Sequence, residues 1–173
     1  MNRLLFISTF VVFALSSALA GGPDSKRNPL GAYLGHWESS SKFFDTKFSK
    51  AQTVTSSLDC SWSPQGVYLV CEQLIHDADG RHTQLTIYEP NAKDHGFTFY
   101  TFNTPGQKPY VGSLKIEGTV WTYGPTPDAV NTYPLFRTTN VIENGKVTFK
   151  VEVAEEPSHW ITMGEGSAHR VSK

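Results

Sequence analysis

Long apolar runs are missing from this sequence once its first twenty residues are passed. After Ala20 no stretch approaches the ~18 residues that a membrane-crossing helix needs, so no membrane span is expected. An excess of one charge is missing too. The 15 Lys and Arg residues face 16 Asp and Glu, with no long basic run, which argues against nucleic acid as a partner. Cysteine is scarce, with two in 173 residues. There is no nucleophile elbow, phosphate loop or zinc-protease motif, and the glycines are scattered at turns rather than gathered into a phosphate cradle. No long helical pattern, internal repeat, low-complexity tract or interdomain linker is seen. No catalytic residue, metal or cofactor is therefore assigned from the sequence.

The first residues have a different character. Arg3 supplies a positive start, Leu4 to Leu15 form an apolar stretch broken only by Ser8 and Thr9, and Ala18-Leu19-Ala20 is a small-x-small cleavage site. This pattern predicts a secretory signal peptide over 1–20, too short and wrongly flanked for a membrane span. No cysteine sits at the cleavage point, so no lipid anchor is expected there. Residues 21–173 are then one domain with a real core, either periplasmic or secreted. Losing Arg3 moves the formal net charge from −1 to −2.

In an exported chain, two cysteines suggest one disulfide. Cys60 and Cys71 flank a turn, Ser63-Pro64-Gln65-Gly66. If this hairpin pairs residues whose numbers sum to 131, the two lie directly opposite one another. If the turn carries a glycine bulge, the register shifts by one and they face different sides. A structural disulfide is favoured over two free thiols. Closing so short a loop stabilises by roughly 2–3 kcal/mol.

A short helical piece is expected near the start of the domain. Asn28-Pro29 has the form of a helix cap followed by proline at the first helical position, and Leu30, Tyr33 and Leu34 share one face. A stub of this length is stable only when docked, and the end of a barrel is a natural place for it. Everything after Trp37 reads as β-strand. The expected strands are 36–44, 50–62, 67–76, 81–89, 96–103, 109–116, 119–124, 134–142, 147–154 and 159–171. Asp77-Ala78-Asp79-Gly80, Glu117-Gly118 and Asn144-Gly145 supply residues suited to positive φ at the turns. Sequential hairpins at this spacing point to an up-and-down antiparallel sheet. Ten strands in one flat sheet would be unusual, so closure into a β-barrel of about eight to ten strands is expected.

The Asn144-Gly145 hairpin can be read residue by residue. A two-residue turn pairs Glu143 with Lys146, and every later pair sums to 289. One face then carries Phe136, Thr138, Asn140, Ile142, Val147 and Phe149, with Val151 and Val153 above them. The other puts Arg137 opposite Glu152 and Thr139 opposite Lys150, a solvated face on which an ion pair is worth ~0.5 kcal/mol. The apolar face is the barrel interior. Thr138 and Asn140 interrupt it. A buried Asn without partners costs roughly 1–3 kcal/mol, so Asn140 holds either a water or neighbouring side chain, or a polar group of a ligand.

Several short motifs together resemble a known family. They are Leu34-Gly35-His36-Trp37-Glu38, Cys60-Ser61-Trp62-Ser63-Pro64-Gln65-Gly66, Cys71, the Val120-Trp121-Thr122-Tyr123 strand, and Trp160 followed by Glu165-Gly166 and Arg170. The sequence resembles the secreted bacterial lipocalin-like proteins grouped under a domain of unknown function. The resemblance implies a calycin-type β-barrel beginning at the Gly35-x-Trp37 strand, and it implies no activity. It further implies a structural floor, in which Trp37 packs beneath a basic residue from near the last strand. Arg170 is the match, a guanidinium over an indole worth ~0.5–2 kcal/mol.

Candidate chemistry is thin. His76 and His82 flank the 77–80 turn, and a three-residue loop there would set them opposite each other with Asp77 or Asp79 nearby. That arrangement could hold a divalent metal, although no third ligand can be placed, and two exposed turn histidines are the plainer reading. His159, Glu165 and His169, with His36 if the barrel closes there, could do acid–base work in a cleft; Gly164 and Gly166 obscure which way they face. The aromatic strands carry more. Phe97, Phe99, Tyr100 and Phe102, with Trp121 and Tyr123 on a further strand, are abundant aromatics, and strands 67–76 and 96–103 carry large apolar groups on both faces, so one face lines the interior and the other is covered or meets a partner. The expected function is the binding of a small, largely apolar molecule, with Tyr88, Phe99, Trp121, Thr138, Asn140 and Phe149 as ligand-binding residues. The alternatives are an enzyme with its site in the barrel, and a filled barrel with a structural or protein-interaction role.

Overall fold

The computed structural model describes residues 28–91, 96–103, 108–129, 134–156 and 158–172. The expected signal segment 1–20 and residues 24–27 lie outside the described residues. The fold is all-β. Its strands are β1 (Gly35–Phe43), β2 (Gln52–Trp62), β3 (Leu69–Asp77), β4 (Gly80–Pro90), β5 (Phe97–Phe102), β6 (Tyr110–Glu117), β7 (Val120–Pro125), β8 (Leu135–Glu143), β9 (Lys146–Ala154) and β10 (Trp160–Val171). Each pairs antiparallel with its sequence neighbours, and β10 returns to pair with β1, giving a closed ten-stranded up-and-down barrel. These ten strands match the expected ones to within a few residues. Closure follows from sheet twist and from the cost of leaving two edges unpaired.

The hairpins follow their turn chemistry. Asn144 and Gly145 both adopt positive φ (50° and 74°), the two-residue turn whose twist matches the flanking strands. Glu143 then faces Lys146, Asn140 faces Phe149 and Phe136 faces Val153, in the register summing to 289. In the β2–β3 hairpin Cys60 faces Cys71 directly, and the two form a disulfide. The turn is closed by the Ser63 N–H donating to Tyr68 O at 2.8 Å and the Tyr68 N–H donating to Ser63 Oγ at 3.1 Å, and no bulge shifts the register.

Two local expectations are corrected. The β3–β4 turn has two residues, not three: Asp77 pairs with Gly80 and His76 with Arg81. His76 and His82 are therefore not opposite each other. Asp77 accepts the Asp79 N–H at 2.9 Å and lies 3.1 Å from His82 Nε2, so its carboxylate organises the turn. Nor is the outer face at Arg137 and Glu152 simply wet. Glu152 is buried, takes two hydrogen bonds from Arg137 (2.9 and 2.7 Å) on one oxygen, and meets Lys150 at 2.8 Å with the other. The Arg137 guanidinium stacks 4.1 Å from the Trp160 ring centroid. Burial alone would raise the Glu152 carboxyl; hydrogen bonds from Lys150 and Arg137 outweigh it and hold it below the usual range. The Trp160 ring covers Arg137, a contact that a register argument on two strands cannot see.

A five-residue 3-10 helix, Pro29–Tyr33, precedes β1. Asn28 caps it by accepting the Leu30 N–H at 3.1 Å. So short a helix has no stability of its own. It is held by burying Leu30 completely and Tyr33 almost so. A fully buried leucine contributes about 1.5–3 kcal/mol. The Trp37 Nε1–H donates to Tyr33 O at 2.8 Å, tying the helix to the first strand. It plugs the end of the barrel at which β1 begins. Replacing both cysteines (Cys60→Ala/Cys71→Ala) is expected to lower unfolding free energy by about 2–3 kcal/mol, measured by urea denaturation; an unchanged midpoint would show that the bridge contributes nothing.

Candidate functional site

The barrel encloses a cavity of ≈ 720 Å³. Its floor is aromatic. The Tyr33 ring stands edge-on to Trp121 with centroids 4.7 Å apart and to Trp37 at 6.2 Å. Beneath it, Arg170 sits 4.9 Å from the Trp37 ring centroid and donates to Ala32 O at 2.6 Å. Arg170 thus clasps the plug and the first strand together.

The Tyr33 hydroxyl is the hub of the floor. Asn140 Nδ2 donates to it, and Tyr123 Oη donates to it at 3.0 Å. Tyr88 is hydrogen-bonded to Tyr123 in turn. Burial pushes all three phenols above their ordinary value; for Tyr88 and Tyr123 the nearby Tyr33 adds to the effect. They are neutral at physiological pH. The other end of the Asn140 amide, its buried Oδ1, has no hydrogen-bond partner among the described residues.

Five of the six ligand-binding candidates line the cavity: Tyr88, Phe99, Thr138, Asn140 and Phe149. Trp121 does not; it is buried and packed on Tyr33 as part of the floor. Two of the rings lie on glycines. A Cβ at Gly112 would come within 2.3 Å of Phe99, and one at Gly166 within 2.6 Å of Phe149. These glycines let each ring lie flat on the neighbouring strand and leave the centre hollow. Tyr110 and Phe136, both exposed, stand at the end opposite the plug, where Phe48 meets Phe136 edge-on at 6.4 Å. Among the described residues the cavity opens there.

Sequence reasoning placed Tyr33 on the docked face of the plug but did not name it or Tyr123 as site residues. It also missed a band of neutral polar side chains at mid-height. Ser39 bonds Ser56 at 2.7 Å, Gln73 donates to Ser56 at 2.8 Å, and Gln73 faces Gln84 across β3 and β4. Gln84 donates to Thr86 at 3.3 Å, and Thr86 bonds Thr101 at 3.2 Å. The available signal was the Cys60–Cys71 register: alternation from Cys71 puts Gln73 inside. The acid–base candidates lie elsewhere. Glu165 and His169 are exposed and do not line the cavity, His159 is exposed, and His36 Nδ1 lies 3.0 Å from Asp59 Oδ1 away from the cavity. No group of three or more His, Cys, Asp or Glu able to hold a metal occurs among the described residues.

Comparison with known proteins bears on the fold. No family model matches the sequence. No curated protein matches it either. Solved structures do: the barrel superposes on the crystal structure of Rv2717c from M. tuberculosis with a TM-score of 0.62. The match covers 87% of this chain and 99% of that one at 13% identity. At that identity the likeness is one of fold alone.

Two predictions come from the floor. Tyr33→Phe removes the hydroxyl shared by Asn140 and Tyr123 and is expected to cost about 1–3 kcal/mol, read from the denaturation midpoint. For phenols whose pKa is raised by folding, the folded state keeps a proton that the unfolded state loses above pH ~10. Stability is therefore complete below that pH and falls as pH rises beyond it. Spectrophotometric titration should show Tyr33, Tyr88 and Tyr123 resisting ionisation until the barrel unfolds. All seven tyrosines titrating together near pH ~10 in a folded protein would contradict this floor.

Proposed function

We propose that this protein is an exported binding protein that holds a small, largely apolar molecule inside its barrel. The observation carrying this is the hollow interior: ≈ 720 Å³, aromatic-floored, plugged at one end and open at the other among the described residues. That volume lies within the ~300–1,000 Å³ typical of ligand pockets. A filled barrel would have no such space. The ionisable groups in the lining favour holding over reacting. They are tyrosines, three of them kept neutral by burial, and Asp77 at the mouth, already engaged by the Asp79 N–H and by His82.

Export is supported by the 1–20 pattern of the sequence and by the disulfide, which persists in an oxidising compartment. Among the described residues no helix is long and apolar enough to cross a membrane.

Native mass spectrometry of protein purified from its own source should show a retained organic mass released by denaturation. Val151→Trp, which fills the wall of the cavity, should weaken uptake of a neutral apolar dye by about ten-fold or more while the barrel remains folded. Undiminished dye binding in that variant would place the dye outside the barrel and sink the proposal.

A further inference from the structure

The cavity has polar and apolar sides, and among the described residues no cation lines it. Among the described residues none of its lining side chains is Lys, Arg or His, and its one carboxylate, Asp77, stands at the mouth. Arg170 is held below the floor by Ala32 O and the Trp37 ring. A carboxylate, phosphate or sulfonate entering this space would lose water and meet no counter-ion. The wall built by β1 to β5 nevertheless carries the Ser39, Ser56, Gln73, Gln84, Thr86 and Thr101 band. Its members bond to one another with valences to spare: each Gln amide has two donors and an acceptor, of which a single donor is used within the band. The facing wall, on β8 and β9, is Phe136, Val147, Phe149 and Val151, interrupted by Thr138 and, at the floor, by Asn140.

We propose that the molecule held here is uncharged and amphipathic, with hydroxyl, carbonyl or amide groups along one edge and an apolar body. The proposal rests on the binding reading above and names its ligand class. The polar edge lies against the β1–β5 band, and the body lies against Phe149, Val151 and Phe136. A pure hydrocarbon would strip water from the band and return no hydrogen bonds; an anion would go unneutralised. A neutral amphiphile satisfies both walls.

The test uses the exported protein loaded with Nile red, a neutral environment-sensitive dye. Four competitors of one chain length are added below their solubility limits or micelle concentrations: dodecane, 1-dodecanol, dodecanoate and 1-monododecanoylglycerol. At about pH 8 the dodecanoate is ionised. The monoacylglycerol is expected to displace the dye at least ten-fold more tightly than dodecanoate or dodecane, with 1-dodecanol between. Dodecanoate binding as tightly as the monoacylglycerol overturns the uncharged class, and dodecane doing so overturns the polar edge. Both of those results leave the binding reading standing. Failure of the dye and of all four competitors to bind removes the binding reading, and this inference with it. Gln73→Leu and the paired change Thr86→Val/Thr101→Val should each narrow the monoacylglycerol-over-dodecane ratio about ten-fold. The threonine pair replaces both partners of the Thr86–Thr101 hydrogen bond by groups of the same shape and releases only the long 3.3 Å bond from Gln84, whose amide lines the cavity, so it keeps the barrel folded if Gln73→Leu does not. An unchanged ratio in the folded threonine variant overturns the role of the band.

Discussion

The pairing of β1 with β10 is the constraint on which the rest depends. It runs from His36 opposite Val171 to Phe43 opposite Gly164 and turns a ten-stranded ribbon into a wall without edges. An open sheet of these strands would expose the interior face to water and two rows of unpaired amides to other chains. With the seam closed, alternate residues on every strand share one enclosed space. Trp37 and Arg170 are paired across that seam, so the same ladder that closes the wall brings the guanidinium onto the indole.

Closure by itself leaves a tube with two ends. The plug decides which end is a mouth. Its five residues hold together because Leu30 and Tyr33 are buried in the barrel, and the barrel end is sealed because they are there. Tyr33 then does two things. Its ring packs on Trp121 and Trp37, and its hydroxyl collects Asn140 and Tyr123. The floor is therefore rigid and hydrogen-bonded, while the space above it is wide because Phe99 and Phe149 lie back over glycines. A band of polar side chains at mid-height on β1 to β5, with Phe136, Phe149 and Val151 across from it, gives that space a direction across its width, a property of the wall that no single residue carries.

Much of this was legible beforehand, because antiparallel hairpins are local. A turn such as Asn144-Gly145 specifies its own register, and the pairs of Asn140 with Phe149 and Arg137 with Glu152 follow from counting. The strand positions, the barrel class and the disulfide partners were accessible in the same way. The failures were of two kinds. The 77–80 turn admitted both two- and three-residue loops, and one residue of difference moved His82 from opposite His76 to opposite Ile75. The other kind was contact between distant segments. Trp160 covering Arg137, and Tyr33 meeting Asn140 and Tyr123, join residues that no hairpin relates.

The sequence by itself determined the strands, their order and the alternation of inside and outside. These rest on side-chain period and turn geometry, which act over a few residues. Only the tertiary structure decided that the interior is hollow, that Trp121 belongs to the floor and not the wall, and that the polar side chains of five strands stand level with one another. The height of a residue in a barrel depends on strand tilt and on the stagger accumulated around the closed wall. That sum over all ten strands is set when β10 meets β1, and no local stretch of the chain contains it.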